Sequence, residues 1–147
     1  MKTLVQRVSQ ASVTVDKQTV GQIDEGLLLF VGFRPGDDDE ALRFCTDKCV
    51  NLRIFADDEG KMNRSVLDVG GSILCISQFT LYGDCRKGRR PSFDQAARPV
   101  EAEALYERFL VMLADQGLQP QRGVFGAHMQ VKIHNDGPVT LMVESPQ

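Results

Sequence analysis

At 147 residues, 42% hydrophobic and 25% charged, the chain has the composition of one ordinary globular domain. A chain of this size buries roughly 68–70% of its unfolded surface, which excludes any need for metal or disulfide staples. A formal charge of −3 and a pI near 5.4 exclude a protein that coats nucleic acid by bulk electrostatics, so any RNA binding must be local.

The opening residues Met1 to Arg7 lack the apolar stretch of a signal peptide. Ala11, Val13 and Val15 alternate with Ser12, Thr14 and Asp16; the chain then turns near Lys17 and returns through Val20 and Ile23, the pattern of a hairpin. Gly26 to Phe33 is short and almost wholly apolar, which suits a strand buried on both faces. It contains the longest apolar run, Leu27 to Val31, far short of the ~20 residues of a membrane helix. No membrane partner and a cytoplasmic location are therefore expected. Asp37, Asp38 and Asp39 offer N-caps for a helix whose inner stripe would be Leu42, Cys45, Cys49 and Leu52. Arg53 to Phe55 then reads as a strand. The turn signals Asp57-Asp58-Glu59-Gly60 and Gly70-Gly71 flank Val66 to Val69, and the apolar strand Ile73 to Ile76 follows.

That strand stops at Ser77-Gln78-Phe79-Thr80-Leu81, so the hydroxyls and N–H groups of this segment would emerge at a sheet rim. Directly after it, Arg86-Lys87-Gly88-Arg89-Arg90 packs four cations into five residues: a solvated loop, or a contact for RNA phosphates. Pro99 begins the clearest helix, with Leu105, Phe109 and Met112 at helical spacing beside Tyr106, Leu110 and Leu113, and Gly117 as its stop. The last ~25 residues read as paired strands, Met129/Val131/Ile133 and Val139/Leu141/Val143, joined at Asn135 to Pro138. Strands outnumber two helices without regular alternation, so an α+β fold in a single domain over residues 1–147 is expected.

Neither metal nor cofactor is expected. Cys45 and Cys49 share a helix face, Cys75 lies in a strand and Cys85 in a loop, no pair has common zinc spacing, and His128 and His134 are the only histidines. Ser77 or Thr80 could act as a nucleophile only with a base and a group to orient it, and otherwise they satisfy local backbone groups. Two other readings stay open on the residues alone. One is a non-catalytic RNA-binding module with Phe79 stacking on a base; the other is a small-molecule esterase, which the missing nucleophile-elbow pattern disfavours.

In the Ser77 to Leu81 and Asn135-Asp136-Gly137-Pro138-Val139-Thr140 segments, in Arg7, the basic loop and Phe125-Gly126-Ala127 with Met129, the chain resembles the D-aminoacyl-tRNA deacylases. These are homodimeric enzymes that strip D-amino acids from tRNA. The resemblance runs nearly the whole chain. It implies a closed or strongly curved, barrel-like, mostly antiparallel sheet with two main helices packed outside. Ser77, Gln78, Phe79 and Thr80 would line the catalytic pocket for the aminoacylated terminal adenosine, with Phe125, Gly126, Ala127 and Met129 beside them. Gly137-Pro138, with a cis bond braced by Arg7, would reach into the other subunit and exclude L-amino acids. Arg86, Lys87, Arg89 and Arg90 would contact tRNA, and the tRNA 2′-hydroxyl would assist hydrolysis. The implied partners are aminoacylated tRNA and a second copy of the chain, not DNA.

Overall fold

The structure, a computed structural model, describes residues 1–147. In chain order its elements are β1 (Lys2–Val15), β2 (Gln18–Ile23), β3 (Gly26–Gly32), α1 (Asp39–Asn51), β4 (Phe55–Ala56), β5 (Met62–Arg64), β6 (Ser72–Ser77), a 3-10 turn (Phe79–Tyr82), α2 (Pro99–Asp115), β7 (Gln121–Arg122) and β8 (Gln130–Glu144).

Strand β1 is the spine of a six-stranded sheet. Along one side it pairs antiparallel with β3 through Lys2 to Val8 and with β2 through Ala11 to Val15. Along the other it pairs antiparallel with β8 from Lys2 to Thr14. Strands β3 and β6 are parallel, as are β6 and β7, so the sheet is mixed although antiparallel pairing predominates. The expected hairpin is present, with Asp16 and Lys17 supplying two positive φ angles at its turn, 49° and 66°.

A bulge in β1 lets one strand serve two cores. Val8 stands opposite Asn135 and Gln10 opposite His134, which leaves Ser9 as an extra residue. The side-chain alternation flips there, so Val8, Ala11 and Val13 all join Ile23, Leu28, Leu74 and Ile76 inside the curve of the sheet. The opposite face carries Val5, Leu27, Leu29 and Val31 against the helices, whose contributions include Leu42, Cys45, Cys49, Tyr106, Phe109 and Leu113. Strand β3 is buried on both faces, which accounts for its unbroken apolar sequence. Curling brings β2 against β6 and β7, and the sheet nearly closes into a barrel with both helices outside.

The helix signals held at both ends. Asp38 is the N-cap of α1, its side chain accepting the Ala41 N–H, and α2 begins at Pro99 and ends before Gly117, which has φ +89°. Leu52 is the residue that closes α1, not part of its stripe, and packs against the core half-buried. Cys45, Cys49 and Cys75 are buried, and burial pushes the Cys45 thiol up to about 11. Cys85 is the exposed thiol.

Two expectations need correction. The strand expected at Arg53 to Phe55 begins only at Phe55 and pairs with β5 in a separate small ribbon. More consequentially, the last residues do not form a hairpin at Asn135 to Pro138. Val131, Ile133, Leu141 and Val143 all pair with β1, in one strand. Val8 faces Asn135 and Gln6 faces Thr140, so Asp136 to Val139 are looped out from the middle of that strand. The turn chemistry is real, but the partner of both flanks is β1.

Candidate active site

The end of β6 is fixed by its parallel neighbour. Val31 pairs with Ser77, and the Gln78 N–H donates to the Val31 carbonyl at 2.7 Å, carrying the chain past the end of β3 before it coils into the 3-10 turn. Gly32 makes that turn possible, since a Cβ there would stand 2.9 Å from the Gln78 carbonyl oxygen and 3.2 Å from the Leu81 Cβ. Within the turn the Leu81 N–H donates to the Gln78 carbonyl and the Gly83 N–H to that of Thr80. The N–H groups of Phe79 and Thr80 donate to no acceptor in the protein. They are therefore two adjacent backbone donors on exposed residues, with Phe79 52% exposed.

Beside them opens a cavity of about 580 Å³. Its walls include Phe30, Ile76, Ser77, Gln78 and Phe79 from the β3 and β6 side; Phe93, Arg98, Pro99 and Ala102 from the approach to α2 and its first turn; and Phe125, Gly126, Ala127, His128, Met129 and Val131 ahead of and within β8. Ser77, Gln78, Phe79, Phe125, Gly126, Ala127 and Met129 are thus brought together in a mostly apolar pocket with few polar groups. Thr80 lies outside the lining, and its hydroxyl oxygen accepts from the Gln78 amide at 2.5 Å. No base is hydrogen-bonded to either the Ser77 or the Thr80 hydroxyl, although His128 lines the same cavity.

The looped-out segment lies elsewhere. None of Asn135 to Thr140 lines the cavity of its own chain. The Gly137–Pro138 bond is cis, and Asp136, Gly137 and Pro138 are exposed. Their base is clamped from two sides. The Asn135 side-chain oxygen accepts the Val139 N–H at 3.0 Å, its amide nitrogen donates to the Thr140 hydroxyl at 2.8 Å, and Gln6 donates to that same hydroxyl at 3.2 Å. Arg7, opposite the gap in the β1–β8 ladder, donates from Nε to the Asp136 carbonyl at 3.0 Å and from Nη1 to the Ile54 carbonyl at 2.6 Å. A Cβ on Gly137, which has φ +131°, would stand 3.0 Å from Arg7 Nη2. The clamp by Asn135 and Thr140 had a signal in the sequence, since Asn and Thr flanking a Gly-Pro pair can bond back to the turn.

The basic loop is less uniformly basic than its sequence. Asp84 and Ser92 exchange two backbone hydrogen bonds at its base, and Arg86 grips Asp84 through Nε at 2.9 Å and Nη2 at 2.6 Å. The Arg86 guanidinium holds the Asp84 carboxyl down to about 2. Arg86 is therefore engaged, whereas Lys87, Arg89 and Arg90 enter no ion pair. The same loop delivers Phe93 against Phe79, ring centroids 5.1 Å apart and edge to face. Sequence reading missed both Phe93 and Arg98, which lie in a stretch with no periodicity.

Three comparisons bear on this geometry. The family described as D-Tyr-tRNA(Tyr) deacylase matches residues 4–144. The D-aminoacyl-tRNA deacylase of Brevibacillus brevis is 61% identical over 99% of this chain and 100% of its own length. That of Halalkalibacterium halodurans is 58% identical over 99% of both chains. Among solved structures, one described as c-Myc DNA Unwinding Element Binding Protein superposes with a TM-score of 0.94 at 42% identity, covering 100% of both chains. A second, described as a probable eukaryotic D-amino acid tRNA deacylase, shares the fold with a TM-score of 0.83 at 21% identity, over 97% of this chain and 98% of that one.

Proposed function

The chain belongs to the D-Tyr-tRNA(Tyr) deacylase family, and from that premise we propose that it hydrolyses the ester of D-aminoacyl-tRNA, and of glycyl-tRNA, to free amino acid and tRNA. The observation that carries the mechanism is the pair of unengaged N–H groups at Phe79, which lines the cavity of about 580 Å³, and at Thr80, the next residue along the chain. The terminal adenosine occupies the apolar cavity and presents its acylated ribose to those donors. They stabilise the oxyanion that develops as water attacks, a contribution of roughly 3 kcal/mol per donor. The vicinal 2′-hydroxyl of the ribose assists the proton movement. No side-chain base is positioned on Ser77 or Thr80, which supports a reaction without a protein nucleophile. Thr80→Ala, which keeps the backbone donor and loses the hydroxyl, retains most of the deacylation rate; a loss of a thousandfold in kcat would instead mark Thr80 as a nucleophile.

Chiral selection comes from a second copy. The Gly137–Pro138 loop is exposed and absent from its own chain's cavity, which supports a role in completing a neighbour's site. There its carbonyl oxygens accept hydrogen bonds from the α-ammonium of the substrate, and an L side chain collides with the backbone that a D side chain avoids. Glycine has no side chain to reject and is hydrolysed. Strand β8 offers the surface for such an assembly. It is hydrogen-bonded on one side only, to β1, on both flanks of the looped-out segment, and exposes Ile133, Leu141 and Met142. A two-fold interface places each loop in the other subunit's site. Sedimentation at micromolar concentration gives a dimer as the active species; an active monomer would overturn the cross-subunit arrangement.

A further inference from the structure

We propose that Arg98 is a binding residue for the 5′-phosphate of the substrate's terminal nucleotide. The inference rests on the deacylase reading above and adds to it a contact for the first phosphodiester outside the cavity.

Arg98 is the one arginine or lysine that lines the cavity shared by Ser77, Gln78 and Phe79. It takes part in no ion pair and no side-chain hydrogen bond, unlike Arg7, Arg34, Arg53, Arg64, Arg86, Arg108 and Arg122. The acid nearest to it in the first turn of α2, Glu101, is engaged with the Gly36 N–H. Its place in the fold is also unfavourable on local grounds. Arg98 is the N-cap residue of a 17-residue helix and makes no side-chain cap. Asp, Asn, Ser or Thr would satisfy an N–H there, whereas a cation is repelled by the positive end of the helix. A residue that breaks a local rule without a compensating contact within the chain is where function is to be sought.

The backbone beneath it is fixed. The Ala97 N–H donates to the Phe33 carbonyl at 2.9 Å, and the Ala102 N–H to the Arg98 carbonyl at 2.8 Å. Pro99 restricts Arg98 to the extended region, where it sits at φ −64° and ψ 151°. The flexible part is the side chain alone, and its exposed guanidinium can present two parallel N–H groups to a phosphate. A nucleoside seated in the apolar cavity is neutral at its base and ribose and carries its first charge at the 5′-phosphate, which is the chemistry Arg98 fits. Lys87, Arg89 and Arg90, without ion-pair partners, then serve phosphates farther along the strand.

The test separates phosphate from nucleoside. D-tyrosyl esters of adenosine and of adenosine 5′-monophosphate are hydrolysed by the full chain and by Arg98→Ala and Arg98→Lys. For Arg98→Ala the KM of the phosphorylated ester rises about tenfold or more, the scale of a charge-assisted hydrogen bond. The KM of the unphosphorylated ester changes several-fold less than that of the phosphorylated one, and Arg98→Lys recovers part of the loss. Equal effects on both esters, or no effect on either, would overturn the assignment while leaving the deacylase reading intact. Failure of the wild-type chain on both esters and on D-tyrosyl-tRNA would remove that reading and the assignment with it.

Discussion

Given matched D-tyrosyl-, L-tyrosyl- and glycyl-tRNA, the enzyme will hydrolyse the first and third and spare the second, and a 2′-deoxy terminus will slow both by about a hundredfold or more. The two halves of this result have separate structural origins. The slowing follows from what surrounds the motif at the end of β6. The Thr80 hydroxyl is bound to Gln78, the Ser77 hydroxyl has no base, and the free donors are the backbone N–H groups of Phe79 and Thr80. Those donors can stabilise negative charge but move no proton, a step that the proposed mechanism assigns to the substrate's own hydroxyl. In the proposed scheme the sparing of L-tyrosine comes from a rejecting surface, not from a fitted pocket, so D-residues of any size are expected to be hydrolysed. Initial rates on the six substrates decide between this scheme and its rivals. Persistence of the rate without the 2′-hydroxyl would return Thr80 or Ser77 to the role of nucleophile, and equal turnover of both enantiomers would remove the filter.

Arg7→Ala will lower kcat/KM on D-tyrosyl-tRNA by about a hundredfold, the usual consequence of letting a reacting group's surroundings drift by 1 Å. Arg7 is the tie between three pieces of chain. It lies on β1, its Nε holds the Asp136 carbonyl beside Gly137–Pro138, and its Nη1 holds the Ile54 carbonyl ahead of β4. The side chain is 14% exposed, and the ion pair with Asp136 at 3.7 Å involves a carboxylate that is 60% exposed, so the two carbonyl bonds matter more than the charge pair. Removing them costs about 1.5–3 kcal/mol of stability each. Arg7→Lys recovers little, because one ammonium cannot reproduce a planar fork reaching two carbonyls. Steady-state kinetics alongside a thermal melt make the comparison, and a fully active, folded Arg7→Ala chain would show that the loop holds itself, through Asn135 and Thr140 alone.

Most of the fold was legible because its signals are local. Alternation at Ala11 to Val15, the unbroken apolar run of β3 and the caps of both helices each reflect burial over a few residues. Ser77 at the end of Ile73 to Ile76 was legible as a rim for the same reason. The curvature of the sheet was implied by family resemblance, not by pattern, since closure depends on which strands meet. The hairpin expected at Asn135 to Pro138 failed for a related cause: two alternating runs around a Gly-Pro pair look the same whether they pair with each other or both with β1. The tie of Arg86 to Asp84 is not visible in the run of positive charge, because it depends on how the loop folds back on its own base. Arg98 and Phe93 carried no readable signal, for their importance lies in facing the cavity, which depends on how the segment ahead of α2 folds over β6.

The β1–β8 ladder sets the order in which this protein can be built. Residues 2–14 find their longest partner only in residues 130–144, so a nascent chain emerging from the ribosome keeps one side of its first strand unpaired through most of synthesis. The pairing of β1 with β2 and β3 and the packing of α1 can precede it; the wall carrying Met129 and Val131, and the loop at Gly137–Pro138, cannot. Closing so long a stretch of chain is entropically late and slow. Translation thus delivers the segment at Ser77, proposed to be catalytic, well before the segment proposed to make it selective.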